Sequence, residues 1–117
     1  KRAGLDGVAE VRLGKALDTL PSLEGPFDLF FIDADKENIP KYFEWSLKLA
    51  RRGSVILVDN VVRRGAVADA SSKDENVLGV RKFNETYARD PRVSITTLQT
   101  VGAKGYDGLA IALVVAG

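Results

Sequence analysis

Cysteine and histidine are both absent from the 117 residues of this chain. Their absence removes disulfides, zinc sites built on thiolate or imidazole, the Ser-His-Asp and Cys-His catalytic pairs, and all histidine acid/base chemistry. Any metal must be held through oxygen. Charge of one sign is lacking too. With 17 Lys and Arg against 16 Asp and Glu, the formal charge of +1 is too weak to draw nucleic acid or an anionic membrane as the main partner. No stretch approaches the ~20 apolar residues that cross a bilayer. The opening KRAGLDGVAEVRLG has no apolar core of the signal-peptide kind. The expectation is a cytoplasmic protein acting on small molecules. Internal repeats, low-complexity tracts and any G-x-G-x-x-G turn are missing as well.

What is present is enough for one domain: 45% hydrophobic and 28% charged residues can bury a core within a single layered structure. Two short apolar runs stand out, FDLFFIDADKEN and GSVILVDN. Each is too short for a helix and too apolar for a surface strand. Each therefore reads as a buried parallel strand whose end opens at the sheet's carboxyl edge. Asp33 ends the first, and Asp59, with Asn60 behind it, ends the second. The aspartates are 26 positions apart, which suits one strand-helix-strand crossover. Neighbouring strands lie about 4.8 Å apart, so two carboxylates and an amide would meet there as a hard-oxygen cluster for Mg²⁺, Mn²⁺ or Ca²⁺.

Along the chain, Val8 to Leu13 reads as a short strand and Lys15 to Leu20 as one or two helical turns stopped by Pro21. Strand Phe27 to Ile32 comes next. Asn38 to Ala50 is an amphipathic helix with Ile39, Tyr42, Phe43, Ser46, Leu47 and Ala50 on one stripe, closed by Arg51, Arg52 and a left-handed Gly53. Ser54 to Val58 is the next strand. The small, polar stretch Arg63 to Lys73 reads as a lid over a site. A second helix is expected from Asp74 to Arg89, ended by Asp90-Pro91. Strands Val93 to Thr100 and Leu109 to Val115 would close an antiparallel hairpin across GAKGYDG. The fold class is α/β, a mostly parallel sheet ending in an antiparallel pair.

The run from FDLFFIDADK through VDN, with RKFNETYARDPRV and the late DGLAIALV, resembles the cation-dependent O-methyltransferases, the group of the caffeoyl-CoA and catechol enzymes. The resemblance implies the Rossmann-like sheet of S-adenosylmethionine-dependent methyltransferases, in its carboxyl-terminal part. The glycine-rich half that cradles the cofactor would not be included, making residues 1–117 a partial domain, inactive alone. It implies Asp33, Asp59 and Asn60 as ligands of a divalent cation, usually Mg²⁺. That cation would grip neighbouring oxygens of a phenolic or vicinal-diol acceptor. It also implies Lys36 as general base, a role requiring the amine to shed its proton near neutral pH. For S-adenosyl-L-methionine it implies contacts from Asp33, Ala34, Gly14 and Lys15. Lys15 departs from the acidic residue often found there and cannot accept a hydrogen bond from adenine.

Asp35 and Glu37 read as acids opening a helix. Arg63 and Arg64 are either a solvated pair or partners of an acidic substrate group. Trp45, off the buried stripe, is either a border residue or part of the homodimer surface that the resemblance implies. Two other readings compete. A phosphoacceptor receiver domain fails for want of the acidic pair, the strand-end Ser or Thr and the late Lys-Pro. A non-catalytic cation-binding or interaction module of the same fold remains open.

Overall fold

The computed structural model describes residues 4–5, 7–61, 73–103 and 105–116. Its centre is a sheet of four strands, β1 (Phe27–Ile32), β2 (Ala50–Asp59), β3 (Val93–Gly102) and β4 (Gly105–Val114), in the order β1-β2-β4-β3. β1 and β2 are parallel, β2 and β4 antiparallel, and β3 and β4 form an antiparallel hairpin. Helix α1 (Ala16–Thr19) runs into a 3₁₀ turn over Leu20–Ser22. Helix α2 (Ile39–Leu49) makes the β1-to-β2 crossover and α3 (Glu75–Tyr87) precedes the hairpin. No helix among the described residues is long and apolar enough to cross a membrane.

The expected order of elements is present, with one exception. Val8 to Leu13 forms no strand, and Val8, Val11 and Leu13 are 83%, 88% and 94% exposed. The segment has strand-like composition, but a strand needs a neighbour for its backbone groups, and β1 pairs with β2 alone among the described residues.

β2 also starts earlier than the sequence suggests. Arg51 and Arg52, expected to close the helix, lie within the strand. Between the pairs Phe27–Ala50 and Leu29–Val55 the register slips, so β2 carries extra residues as a bulge. Gly53 does adopt positive φ, +94°, but inside this bulge rather than at a helix end. Buried Ser54 stitches the bulge together: its hydroxyl donates to the Phe27 carbonyl at 2.7 Å and accepts from the Arg51 amide at 3.0 Å. The hairpin strands likewise extend into GAKGYDG, to Gly102 and from Gly105. The expected lid lies outside the described residues apart from Lys73, as do Arg63 and Arg64.

Strand alternation divides the sheet into two faces. One carries Ile32, Ile56, Val58, Ala110 and Ala112, all buried together with Ile39, Phe43, Val80 and Phe83 of the helices. Phe43 is the hinge of this layer, its ring 5.0 Å from Phe83 and 4.4 Å from Tyr87. The opposite face carries Leu29, Phe31, Leu98 and Leu113, exposed at 62%, 60%, 51% and 44%. A polar clamp locks α2 to the start of β3. The Arg92 side chain makes two bonds to Glu44, at 3.0 and 3.1 Å, and three to Asp90, at 2.8, 3.0 and 3.2 Å, while the Tyr87 hydroxyl donates to Glu44 at 2.7 Å. Arg92 holds both carboxyl groups below their ordinary range.

Lowered carboxyl values mean that the clamp contributes fully above about pH 5 and is lost as pH falls through those values. Its groups are partly solvated, so the contribution is about 1 kcal/mol. Arg92→Met is expected to lower the melting temperature by about 4 °C at pH 7, with the gap from the parent closing as the pH falls through the lowered values of the two carboxyl groups. A gap independent of pH would contradict the assignment.

Among the described residues the outer edge of β1 has no strand partner and its outer face is apolar, a template for pairing with another chain. The 117-residue chain is expected to self-associate in the micromolar range, and Leu29→Lys with Phe31→Lys to restore monomers. Light scattering that finds the parent monomeric at ~100 μM would refute this.

Candidate active site

β1 and β2 end in step. Ile32 pairs with Val58, and one residue beyond this pair stand Asp33 and Asp59, with Asn60 next. The parallel register thus carries both carboxylates to the same edge of the sheet. Asn60 turns the chain sharply with φ +62°, a left-handed conformation that asparagine tolerates. Its backbone N–H donates to Asp59 Oδ1 at 2.8 Å. Its side-chain Nδ2 donates to Asp107 Oδ2 at 3.0 Å, and the Val61 amide donates to the Gly108 carbonyl at 3.1 Å.

Lys36 lies in a 3₁₀ turn, Lys36–Asn38, directly after β1. It is buried, 9% exposed, and its Nζ donates to Asp33 Oδ1 at 3.0 Å. α3 presses on this turn. A Cβ on Gly79 would lie 2.3 Å from the Lys36 carbonyl oxygen and 2.7 Å from Glu37 Cα, so only glycine permits the contact.

On the β1 side two adjoining clefts, of about 180 and 490 Å³, share Ala16, Ala34 and Tyr42. The smaller also takes in Asp33 and Phe31, the larger Gly14, Lys15 and Asp35. Asp35 has more to do than open a helix. The Tyr42 hydroxyl and Asn38 Nδ2 both donate to it, and the tyrosine bond, ahead of the others, holds its carboxyl below the ordinary range. Burial, then the Asp35 bond, pushes Tyr42 up to about 12, so its hydroxyl keeps its proton at neutral pH. Tyr42 reads from sequence as core, and it is buried; its polar tip is what periodicity does not reveal. Asp107 gives no signal in the sequence either, because Asp-Gly beside a hairpin reads as turn chemistry.

Two carboxylates and an amide oxygen are a donor set that fits Mg²⁺ or a similar hard cation. Among the described residues no three His, Cys, Asp or Glu side chains gather as a metal site.

The family model for O-methyltransferases matches residues 1–114. The chain belongs to the O-methyltransferase family. It is 51% identical over 115 residues to a catechol O-methyltransferase of Mycobacterium tuberculosis, covering 97% of this chain and 52% of that protein. The O-methyltransferase from Bacillus cereus, solved in complex with SAH, superposes with a TM-score of 0.92 at 56% identity, over 97% of this chain and 53% of that one. TomG of Streptomyces achromogenes, involved in tomaymycin synthesis and solved with SAM, gives a TM-score of 0.93 at 50% identity, over 98% and 53%. The sheet is therefore that of a Rossmann-like methyltransferase, and the chain spans about half the length of the relatives it matches.

Gly79→Ala gains helix propensity of about 1 kcal/mol but forces a backbone clash worth about 1–3 kcal/mol. The turn under α3 is expected to shift, which exposes Lys36. Mass-spectrometric acylation should find Lys36 labelled faster in the variant, with a lowered melting temperature. Unchanged labelling and melting would contradict the buttressing role.

Proposed function

We propose that this chain carries the cation- and acceptor-binding part of an S-adenosylmethionine-dependent O-methyltransferase that acts on a catechol-like phenol. The observation that carries the reading is the meeting of Asp33, Asp59 and Asn60 at one sheet edge with the Lys36 amine 3.0 Å from Asp33. Support comes from the relatives. One is named for catechol methylation, and two solved structures hold the methyl donor or its demethylated product.

When bound, Mg²⁺ would supply Lewis acidity that favours a phenolate and would fix the acceptor in place; Asp33, Asp59 and Asn60 would hold it. Lys36, at the rim of the same edge, takes the hydroxyl proton as the acceptor oxygen attacks the donor's methyl carbon. The carbon–sulfur bond breaks with its electron pair passing to sulfur, and a methyl ether and S-adenosylhomocysteine leave. The clefts beside Ala34 receive the donor. Asp35 there is kept ionised and Tyr42 protonated, which gives one strong acceptor and one fixed donor.

Titration calorimetry with Mg²⁺ tests the ligand set. The unmodified chain and Lys36→Ala are expected to bind, and Asp59→Ala is not. In a full-length relative, removing the aspartate that matches Asp59 abolishes methyl transfer to a catechol. Removing the lysine that matches Lys36 slows it about 10²- to 10⁴-fold. Full turnover without the aspartate would end the cation reading, and loss of Mg²⁺ in Lys36→Ala would end the assignment of Lys36 as base.

A further inference from the structure

Asp107 lies 47 residues after Asn60, on a different strand, and no step of the proposed methyl transfer uses it. Each of its carboxylate oxygens accepts a hydrogen bond: Oδ1 from the Gly108 amide at 2.8 Å, and Oδ2 from Asn60 Nδ2 at 3.0 Å. An ionised carboxylate can only accept hydrogen bonds. The edge of the Asn60 amide that faces Asp107 must therefore be its NH₂, which leaves the carbonyl oxygen as the edge available elsewhere. An asparagine without such a partner has no such constraint. Its oxygen and nitrogen are nearly the same size, and rotation about the last side-chain bond exchanges a cation ligand for a group that repels cations.

From this we infer that Asp107 is a positioning residue that sets the polarity of the Asn60 amide, presenting the oxygen and not the nitrogen to a divalent cation. The inference rests on the cation reading of Asp33, Asp59 and Asn60. The rest of Asn60 is already fixed by the Asp59 bond to its backbone and by the neighbouring Val61–Gly108 bond. The side-chain amide is the remaining freedom, and β4 supplies the group that removes it. Partners behind metal ligands commonly change affinity about 10- to 100-fold when removed.

The test uses Mn²⁺ binding to the 117-residue chain, followed by calorimetry and by the electron paramagnetic resonance signal of the bound ion. In Asp107→Asn the new amide has a single oxygen for at least two donors. One of its edges must face a donor, and the Asn60 amide is driven to flip; Mn²⁺ binding is expected to weaken about 10- to 100-fold. Placed on Asn60→Asp, the same change has the opposite sign. There the new carboxylate at position 60 confronts Asp107, and Asp107→Asn turns that repulsion into a hydrogen bond, so the double variant binds Mn²⁺ more tightly than Asn60→Asp alone.

A residue that merely supports the fold would weaken binding on both backgrounds. This comparison between the two Asn60→Asp proteins stands even if Asp107→Asn alone does not fold. Equal effects of Asp107→Asn on both backgrounds, or none on either, overturn the inference. Parent binding that Asp59→Ala abolishes and Asp107→Asn leaves unchanged overturns it while leaving the cation reading intact. A parent chain that binds no Mn²⁺ overturns both.

Discussion

The pairing of Ile32 with Val58 across two parallel strands is the constraint on which the candidate site depends. Parallel strands rise together, so the residues just past their ends emerge at the same edge. A one-residue slip would move every side chain of one strand to the opposite face. Ile32 and Val58 are both buried on the helical side, and exchanging them for exposed neighbours would remove apolar surface from the core. The same hydrophobic pattern that packs α2 on the sheet therefore fixes Asp33 and Asp59 relative to each other. The Ser54 bulge absorbs the unequal lengths of the two strands at the far end, away from the carboxyl edge.

Around that edge the polar groups are held by backbone far apart in sequence. Lys36 is buried under α3, which reaches it through Gly79; Asn60 is tied to β4 through Asp107. The Phe43, Phe83 and Tyr87 rings and the Arg92 clamp fasten α3 and the hairpin to α2. Packing and site geometry are thus continuous.

Local rules read some of this and not the rest. β1 is bounded as its apolar run FDLFFI suggests, and α3 starts at the Asp74 cap, whose side chain accepts from the Asn76 amide, and stops before Asp90-Pro91. The shared sheet edge of Asp33, Asp59 and Asn60 follows from strand-end logic alone. Val8 to Leu13 has apolar residues in plenty but no neighbour among the described residues, and composition does not encode pairing. Arg51 and Arg52 suit a helix end equally well. Only the bulge, a tertiary feature held by Ser54, draws them into β2. Asp107 and Gly79 act through partners more than 40 positions away, where no periodicity reaches.

Asp33 is where these influences meet. One of its oxygens is engaged by Lys36, and the residue also lines the smaller cleft beside Ala34. A carboxylate offers about four lone-pair sites, so the Lys36 bond leaves Asp33 capacity for a further partner. In the proposed enzyme Asp33 would thereby join donor cleft, base and cation edge through a single side chain. Substitution there should disturb all three functions, whereas Asp59 and Asn60 touch only the cation edge.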